Sequence, residues 1–273
     1  MKFTFIDRRW IFLLILLGVG LPLIIPLGFK LEVSPDAQMV YDVIQSTNEN
    51  RLVIVSFDYD PASKPELHPM GYAIIKHAIE KKHKVVCTAL WPMGSQMADE
   101  IFHNLQKEMP ELIYGENFIN LGYKVGGMVT IQAMGKDMRN VYPKDASGKS
   151  IDDYPMLNNM KTIKDFAYVV SLSAGTPGLK DWIMVAKDKY GVSVLGGATA
   201  VSTPAFKPYV NDQKQLNGLL GGLKNAAEYE YLVGRKGTAT AGMDAQSVAH
   251  LLIIAFIVLG NIAFFLNYKK VKE

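Results

Sequence analysis

The chain has 273 residues, of which 49% are hydrophobic, and a formal net charge of +3. This length suffices for one large domain or two small ones, and the hydrophobic fraction is too low for a polytopic membrane protein. Three basic residues stand against one acidic residue at each end of the chain, which leaves the region between near −1 and argues against a nucleic-acid partner.

The first predicted element is an apolar segment at 11–28, preceded by a basic N-terminus at 1–10. As a helix it would rise about 27 Å, close to the hydrocarbon thickness of a bilayer. We predict an uncleaved signal anchor, because no A-x-A-like cleavage site follows the segment. A cleaved secretory signal and a buried core helix are the alternatives. Residues 29–50 are predicted to form a juxtamembrane helix and a linker.

Apolar strands and helices then alternate over 51–233, which predicts one α/β domain. The strands are predicted at 52–57, 84–90, 118–123, 165–172 and 191–197. The helices that follow them are predicted to begin near 69, 95, 128, 178 and 212. About five such units predict a parallel sheet covered on both faces, a three-layer Rossmann-like or flavodoxin-like domain. Cys87, the single cysteine, lies inside the second strand and is expected to be buried.

The chain ends with a polar tether at 234–247, a second apolar span at 248–268 and a tail at 269–273. Basic residues are the guide to orientation, since they concentrate on the cytoplasmic side of membrane proteins. Six lie outside the two spans, against three near their inner ends: Lys2, Arg8, Arg9, Lys269, Lys270 and Lys272 against Lys30, Arg235 and Lys236. We predict an integral membrane protein with both termini cytoplasmic and the domain exoplasmic, which in a bacterium means the inner membrane and the periplasm.

Loops at the carboxyl ends of parallel strands are where such sheets bind ligands. The stretch VSLSAGTPGLKDW runs from the fourth strand into a loop of hydroxyls and glycines. Together with neighbouring loops it gives the predicted ligand-binding residues Ser171, Ser173, Gly175, Thr176, Gly178, Thr199, Ser202, Tyr123 and Lys124. Hydroxyls and backbone N–H groups at a helix start suit a small anion. The alternative is a tight turn, and no nucleotide-binding motif is present.

Asp58-Tyr59-Asp60 follows the first strand and resembles the opening motif of haloacid-dehalogenase-type phosphatases, or the metal-holding DxD of glycosyltransferases. The first resemblance implies that Asp58 attacks phosphorus, that Asp60 handles the proton and that Mg²⁺ bridges them; His68 could assist the pair. The similarity covers only these residues. Pro61 and Ala62 replace the usual continuation, and capping of a turn is the alternative role for the acids.

The histidines show no spacing typical of metal ligands, so we predict neither a separate metal site nor a particular cofactor. Small residues instead suggest close helix packing. The predicted interface residues are Gly218, Gly221, Gly222 and Ala226 of the last domain helix, with Gly260 and Asn261 of the second span. They favour a homo-oligomer or a complex with another membrane subunit, with close packing inside the domain as the alternative.

These patterns predict a membrane-anchored structural or recognition subunit of a membrane protein assembly, and they favour a non-enzyme over an enzyme. A small-molecule or anion-sensing binding domain is the second hypothesis. A metal-dependent phosphatase or transferase that uses Asp58 and Asp60 is the third.

Overall fold

A computed structural model describes residues 8–29 and 31–271, with side chains as far as 265. The predicted cytoplasmic segments at 1–10 and 269–273 therefore fall partly outside the described residues, as does Lys30. Leu31–Arg235 forms one compact unit, and the two terminal segments form another.

Leu31–Arg235 contains a six-stranded sheet in which every strand pairs in parallel. The strands are β1 (Leu52–Asp58), β2 (Lys84–Ala89), β3 (Phe118–Tyr123), β4 (Tyr168–Ser173), β5 (Ser193–Ala198) and β6 (Leu219–Gly221). Their order is β3-β2-β1-β4-β5-β6, so the direction of winding reverses between β1 and β4. The sheet thus has one strand more than predicted, because β6 lies where the last domain helix was expected to run from 212.

Helices cover both faces of this sheet. They are α2 (Pro35–Ser46), α3 (Lys64–Glu80), α4 (Gly94–Glu108), α5 (Met128–Met134), α6 (Met138–Val141), α7 (Leu179–Trp182), α8 (Thr203–Phe206) and α9 (Gly222–Leu232). Helices α2, α3, α4 and α9 contact one another on one face, while α5 contacts α6 and α7 on the other. The helix predicted to begin near 178 is α7, which has four residues because it passes at Ile183 into a π-helical turn.

The strands separate two hydrophobic cores, which follows from the alternation of side chains along an apolar strand. Leu52 and Ile54 of β1 belong to one core, together with Trp182 of α7. Phe57 points the other way, toward Gly71 of α3. Every residue of β1 is buried, as an unbroken apolar strand predicts for the middle of a covered sheet.

The terminal unit contains α1 (Arg8–Ile24) and α10 (Thr238–Val271), which pack against each other. Gly18 permits this approach, because a Cβ atom there would lie 2.6 Å from Cδ1 of Leu252. Asp244 of α10 joins the two segments further, since its carboxylate accepts hydrogen bonds from the backbone N–H groups of Gly28 (2.7 Å) and Phe29 (3.1 Å).

Among the residues that the structure describes, one helical stretch is long and apolar enough to cross a membrane. It is Thr238–Phe265, with 28 residues, whose most apolar 18-residue window has a mean hydropathy of 2.5. Helix α1 has 17 residues, about 26 Å, and does not reach the same length, so the structure gives no support for the predicted N-terminal span. The residues predicted to form a polar tether at 234–247 are helical from Thr238 onward and continuous with the apolar stretch.

Candidate functional site

A cleft of about 540 Å³ opens at the carboxyl edge of the sheet. Its walls come from the segments that follow β2, β3 and β4. They are Leu90, Trp91, Pro92, Tyr123, Val125, Gly126, Gly127, Met128, Thr176, Pro177 and Asp181. Because β1 lies between β2 and β4, the cleft is at the point where the strand order reverses, which is where open parallel sheets bind ligands.

Aromatic and aliphatic side chains form most of this cleft. The indole N–H of Trp91 donates to the backbone oxygen of Pro177 at 2.7 Å, which fixes the ring between two loops. Gly175 makes room for it, since a Cβ atom there would lie 3.3 Å from the Trp91 ring. Tyr123 is 37% exposed and Val125 is 78% exposed, so the cleft presents apolar surface that the domain itself does not cover.

Asp181 is the one charged residue in the lining of this cleft, although it is 91% buried. Its Oδ2 accepts a hydrogen bond from the backbone N–H of Gly178 at 2.8 Å. Within the described part of the chain, no group donates a hydrogen bond to its Oδ1. No lysine or arginine lines the cleft, so its electrostatic character is set by this carboxylate.

Asp58 is completely buried and its carboxylate accepts four hydrogen bonds. The donors are the Ser56 hydroxyl (2.6 Å) and the Leu90 backbone N–H (3.0 Å) to Oδ1, and the Ser171 hydroxyl (2.9 Å) and the Trp182 indole (3.0 Å) to Oδ2. Burial raises the pKa of Asp58 to about 6, against the opposing effect of these donors. The carboxylate thus joins β1 to the ends of neighbouring elements and has no exposed oxygen.

Asp60, two residues after Asp58, has a different structural role. It caps the 3₁₀ turn Pro61–Ser63, and its Oδ1 accepts a hydrogen bond from the Ala62 backbone N–H at 3.1 Å. No hydrogen bond joins His68 to either acid in the described residues; its Nδ1 lies 3.0 Å from the Tyr59 hydroxyl. Burial lowers the pKa of His68 to about 4, so its imidazole is neutral at pH 7.

The nine predicted ligand-binding residues do not form one site. Thr176 and Tyr123 line the cleft described above. Ser171 and Ser173 are buried and serve internal contacts, the second through a hydrogen bond from its hydroxyl to the Gly175 oxygen at 2.9 Å. The backbone of Gly178 is held by Asp181.

The other predicted ligand residues lie in different surroundings. Thr199 donates to Ser202 at 3.0 Å within the turn after β5. The Nζ atom of Lys124 lies 5.5 Å from the ring centroid of Tyr142, beside a second cavity of about 480 Å³. Trp91, Met128 and Asp181 also line the cleft and are not among the binding residues predicted from the sequence. A tryptophan directly after a buried strand, as in WPMGS, was the available signal for the first of them.

The predicted interface glycines approach residues of their own domain. A Cβ atom at Gly218 would lie 2.7 Å from Cγ2 of Val40 in α2, and one at Gly221 would lie 2.5 Å from Thr203. Gly222 begins α9 with φ +65°, a backbone conformation that favours glycine, and Ala226 is buried in the same helix.

The other two predicted interface residues lie on α10. Gly260 has open space around its Cα, and Asn261 is exposed. Nothing in the described residues covers this part of the helix.

The cleft at the carboxyl edge has the volume of a ligand pocket. In the described residues there is no group of three or more His, Cys, Asp or Glu side chains that could hold a metal ion. Cys87 is buried in β2, and burial raises the pKa of its thiol, so it is not an activated nucleophile. No protein-family model, curated protein or solved structure matches the chain.

Proposed function

We propose that the protein is a membrane-anchored recognition subunit of a membrane protein assembly, and that its α/β domain binds its target through the cleft at the carboxyl edge. The observation that carries this proposal is the uncovered apolar lining around Trp91, Tyr123 and Val125. Val129, the residue after Met128 of the lining, is 71% exposed. Contiguous exposed apolar surface on a soluble domain is typical of a binding site.

The strand order supports the same assignment. An order of 3-2-1-4-5-6 is that of doubly wound, Rossmann-like sheets, which bind their ligands in the crevice at the reversal point. Helices on both faces of the sheet agree with a three-layer domain of this kind.

Anchoring to the lipid bilayer is supported by the apolar stretch Thr238–Phe265 of α10, whose most apolar 18 residues the protein does not bury. We propose that α1, which packs against it, is a second membrane segment. The distribution of basic residues at the ends of the chain favours cytoplasmic termini and an exoplasmic domain.

A small-molecule binding domain is the second candidate. Its support is the cleft volume of about 540 Å³, which lies within the range of about 300–1,000 Å³ that ligand pockets occupy. The lining contains a carboxylate and no cationic side chain, which favours a neutral or cationic ligand over the small anion predicted from the loop hydroxyls. The use of Asp58 and Asp60 in metal-dependent catalysis has no comparable support.

Photo-crosslinking in native membranes tests the proposal. A benzoylphenylalanine at Val125 should form one defined adduct with the target. The matched control is the same amino acid at Ile113, which is 52% exposed and precedes β3 at the opposite edge of the sheet. Adducts that are absent at Val125, or identical at both positions, would reject recognition through this cleft.

A further inference from the structure

We propose that the group recognised in the cleft is an organic ammonium ion, held by the carboxylate of Asp181 and by the rings of Trp91 and Tyr123. This inference rests on the cleft being the recognition site proposed above. It specifies the chemistry of the ligand, which that proposal leaves open.

The first support is the state of the Asp181 carboxylate. Its side chain is 91% buried, and only Oδ2 has a hydrogen-bond donor in the described residues. Oδ1 is not among the buried side-chain atoms that lack a hydrogen-bond partner, so it is reached by solvent and is available to a ligand. An ammonium group in the cleft would place its positive charge beside this oxygen, and a primary ammonium would also donate a hydrogen bond to it.

The second support is the aromatic lining. A cation over the face of tryptophan or tyrosine is attracted by the negative charge density of the ring. The indole N–H of Trp91 is already bound to Pro177, so what this side chain can offer a ligand is its ring surface. Tyr123 adds a second, half-exposed ring to the same lining. A carboxylate with two aromatic rings is the usual chemistry of an ammonium site.

The third support is the absence of competing charge. No lysine or arginine belongs to the lining of the cleft. Lys124, next in the chain to Tyr123, has its Nζ 5.5 Å from the ring of Tyr142 and lines the neighbouring cavity instead. A phosphate or carboxylate ligand would therefore meet Asp181 without a counter-charge in the lining, and repulsion would oppose its binding.

The apolar remainder of the lining suits carbon attached to the ammonium group. Leu90, Val125 and Met128 supply aliphatic surface, and the flexible methionine adapts to irregular shapes. Such a group occurs both in free amines and in the lysine side chain of a partner protein. The chemistry at the cleft is the same for both sources, so they must be separated by experiment.

Calorimetric titration of the full-length protein in nanodiscs tests the inference. Choline is compared with its uncharged isostere 3,3-dimethylbutanol and with the anion 3,3-dimethylbutyrate. A lysine-containing peptide and its acetylated form are the second arm. We expect a cationic member of one arm to bind at least tenfold more tightly than its neutral counterpart, and the arm that responds identifies the source.

Variants of the cleft sharpen this test. Asp181→Asn keeps an acceptor for Gly178 but removes the charge, and should weaken binding of the cation at least tenfold. Tyr123→Leu should weaken it and Tyr123→Phe should not, because only the second retains a ring. Asp212→Asn, at an exposed acid outside the cleft lining, is the matched control and should bind normally. An unchanged unfolding temperature in each variant shows that the fold is retained.

Several results would overturn the inference. Equal binding of choline and its neutral isostere, with no effect of Asp181→Asn, would show that the cleft recognises apolar shape alone and would leave the proposed function intact. If the anion binds most tightly, the cleft recognises negative charge, and the ammonium inference is wrong. If neither arm binds, the ammonium inference is wrong, and the adduct at Val125 decides separately whether the cleft recognises a target.

Discussion

Asp58 shows how one side chain can determine the local arrangement of a sheet edge. Its carboxylate receives hydrogen bonds from β1, from the segment after β2, from β4 and from α7. With a pKa of about 6, most of it is ionised at pH 7. Hydrogen bonds to a buried charge are stronger than those between neutral groups, so the four donors keep these segments together.

Replacement of Asp58 by asparagine should destabilise the domain. An amide places an N–H₂ group where the fold provides only donors, which leaves at least one buried donor without an acceptor. We expect a loss of about 1–3 kcal/mol in the free energy of unfolding, measured by urea denaturation at pH 7.

Asp60→Asn is the matched control for this prediction. Asparagine caps a turn about as well as aspartate does, so we expect a change within about 0.5 kcal/mol. Comparable losses from the two substitutions would show that Asp58 has no special role in the fold.

Three histidines are held neutral inside the domain. His77 contacts the Tyr229 hydroxyl through Nδ1 (2.8 Å) and the Gln45 side-chain oxygen through Nε2 (3.0 Å). Burial lowers the pKa of His77 and that of His68 to about 4, and it lowers the pKa of His83. Each imidazole is thus harder to protonate in the folded protein than in the unfolded chain.

The stability of the domain should therefore fall as the pH decreases from 6.5 to 4. In that range the histidines of the unfolded chain bind protons, whereas those of the folded domain stay neutral. Each such histidine adds up to about 1.4 kcal/mol per pH unit to the slope of the free energy of unfolding against pH. Asp58 and Asp99 act in the opposite direction, because their pKa values are raised in the folded domain. Three other carboxylates act in the same direction as the histidines, because their pKa values are lowered: Glu100, Glu108 and Asp145.

Urea denaturation at half-unit pH steps measures this dependence. His77→Gln should make the slope shallower, since it removes one of the titrating groups. A free energy of unfolding that stays constant or rises from pH 6.5 to 4 would contradict the prediction.

At the scale of elements, the segment before α9 shows why small residues occur at this place in the sequence. Gly218 lies against the backbone and side chain of Val40, with its hypothetical Cβ 3.0 Å from the Val40 nitrogen. Helix α2 is also bound to α9, through a hydrogen bond of 2.5 Å from Ser34 Oγ to Glu228 Oε2. Close packing of α2 onto β6 and α9 thus accounts for the absence of a side chain at 218.

Gly218→Ala should weaken this packing. The added methyl group has to displace α2, and overpacking of this kind costs about 1–3 kcal/mol, measured as the change in free energy of unfolding. Gly260→Ala on α10 is the control and should leave the domain unchanged, because nothing lies within 4 Å of that position. If Gly218→Ala alters association of the protein but not its unfolding, the glycine serves an interface between subunits.

The sequence predicts the first five strands because each is a continuous apolar run with a strand's length. It does not predict β6, whose three residues, Leu219–Gly221, lie in the segment LNGLLGGLK. That strand depends on pairing with Gly196–Ala198, more than 20 residues away in the chain, and such pairing leaves no local pattern. The sequence does not predict the helix over 238–247, because the small and polar residues there show no periodic pattern of hydrophobicity.

The candidate site was located only in part for a related reason. Strand ends and loops pointed to the carboxyl edge of the sheet, where the cleft lies, and Tyr123 and Thr176 line it. The hydroxyl residues at 171 and 173 instead face inward, since they belong to the last residues of a buried strand. Asp181 enters the cleft because the short helix α7 turns it back toward Gly178, which sequence spacing alone does not reveal.

At the scale of the whole molecule, the orientation of the domain can be measured with cysteines. Cys87 is buried and burial raises the pKa of its thiol, so it should not react with maleimides in the folded protein. Asn158 is exposed on the domain surface. In intact cells, Asn158→Cys should therefore be labelled by a membrane-impermeant maleimide, while the parent protein is not. Labelling that requires permeabilised cells would place the domain in the cytoplasm.

The chain enters and leaves Leu31–Arg235 through segments that belong to the same pair of packed helices. A protease that cuts only one of these connections leaves the domain covalently attached through the other. Release of the intact domain from both helices therefore requires two cleavages, because a single nick leaves one helix on each of the two fragments.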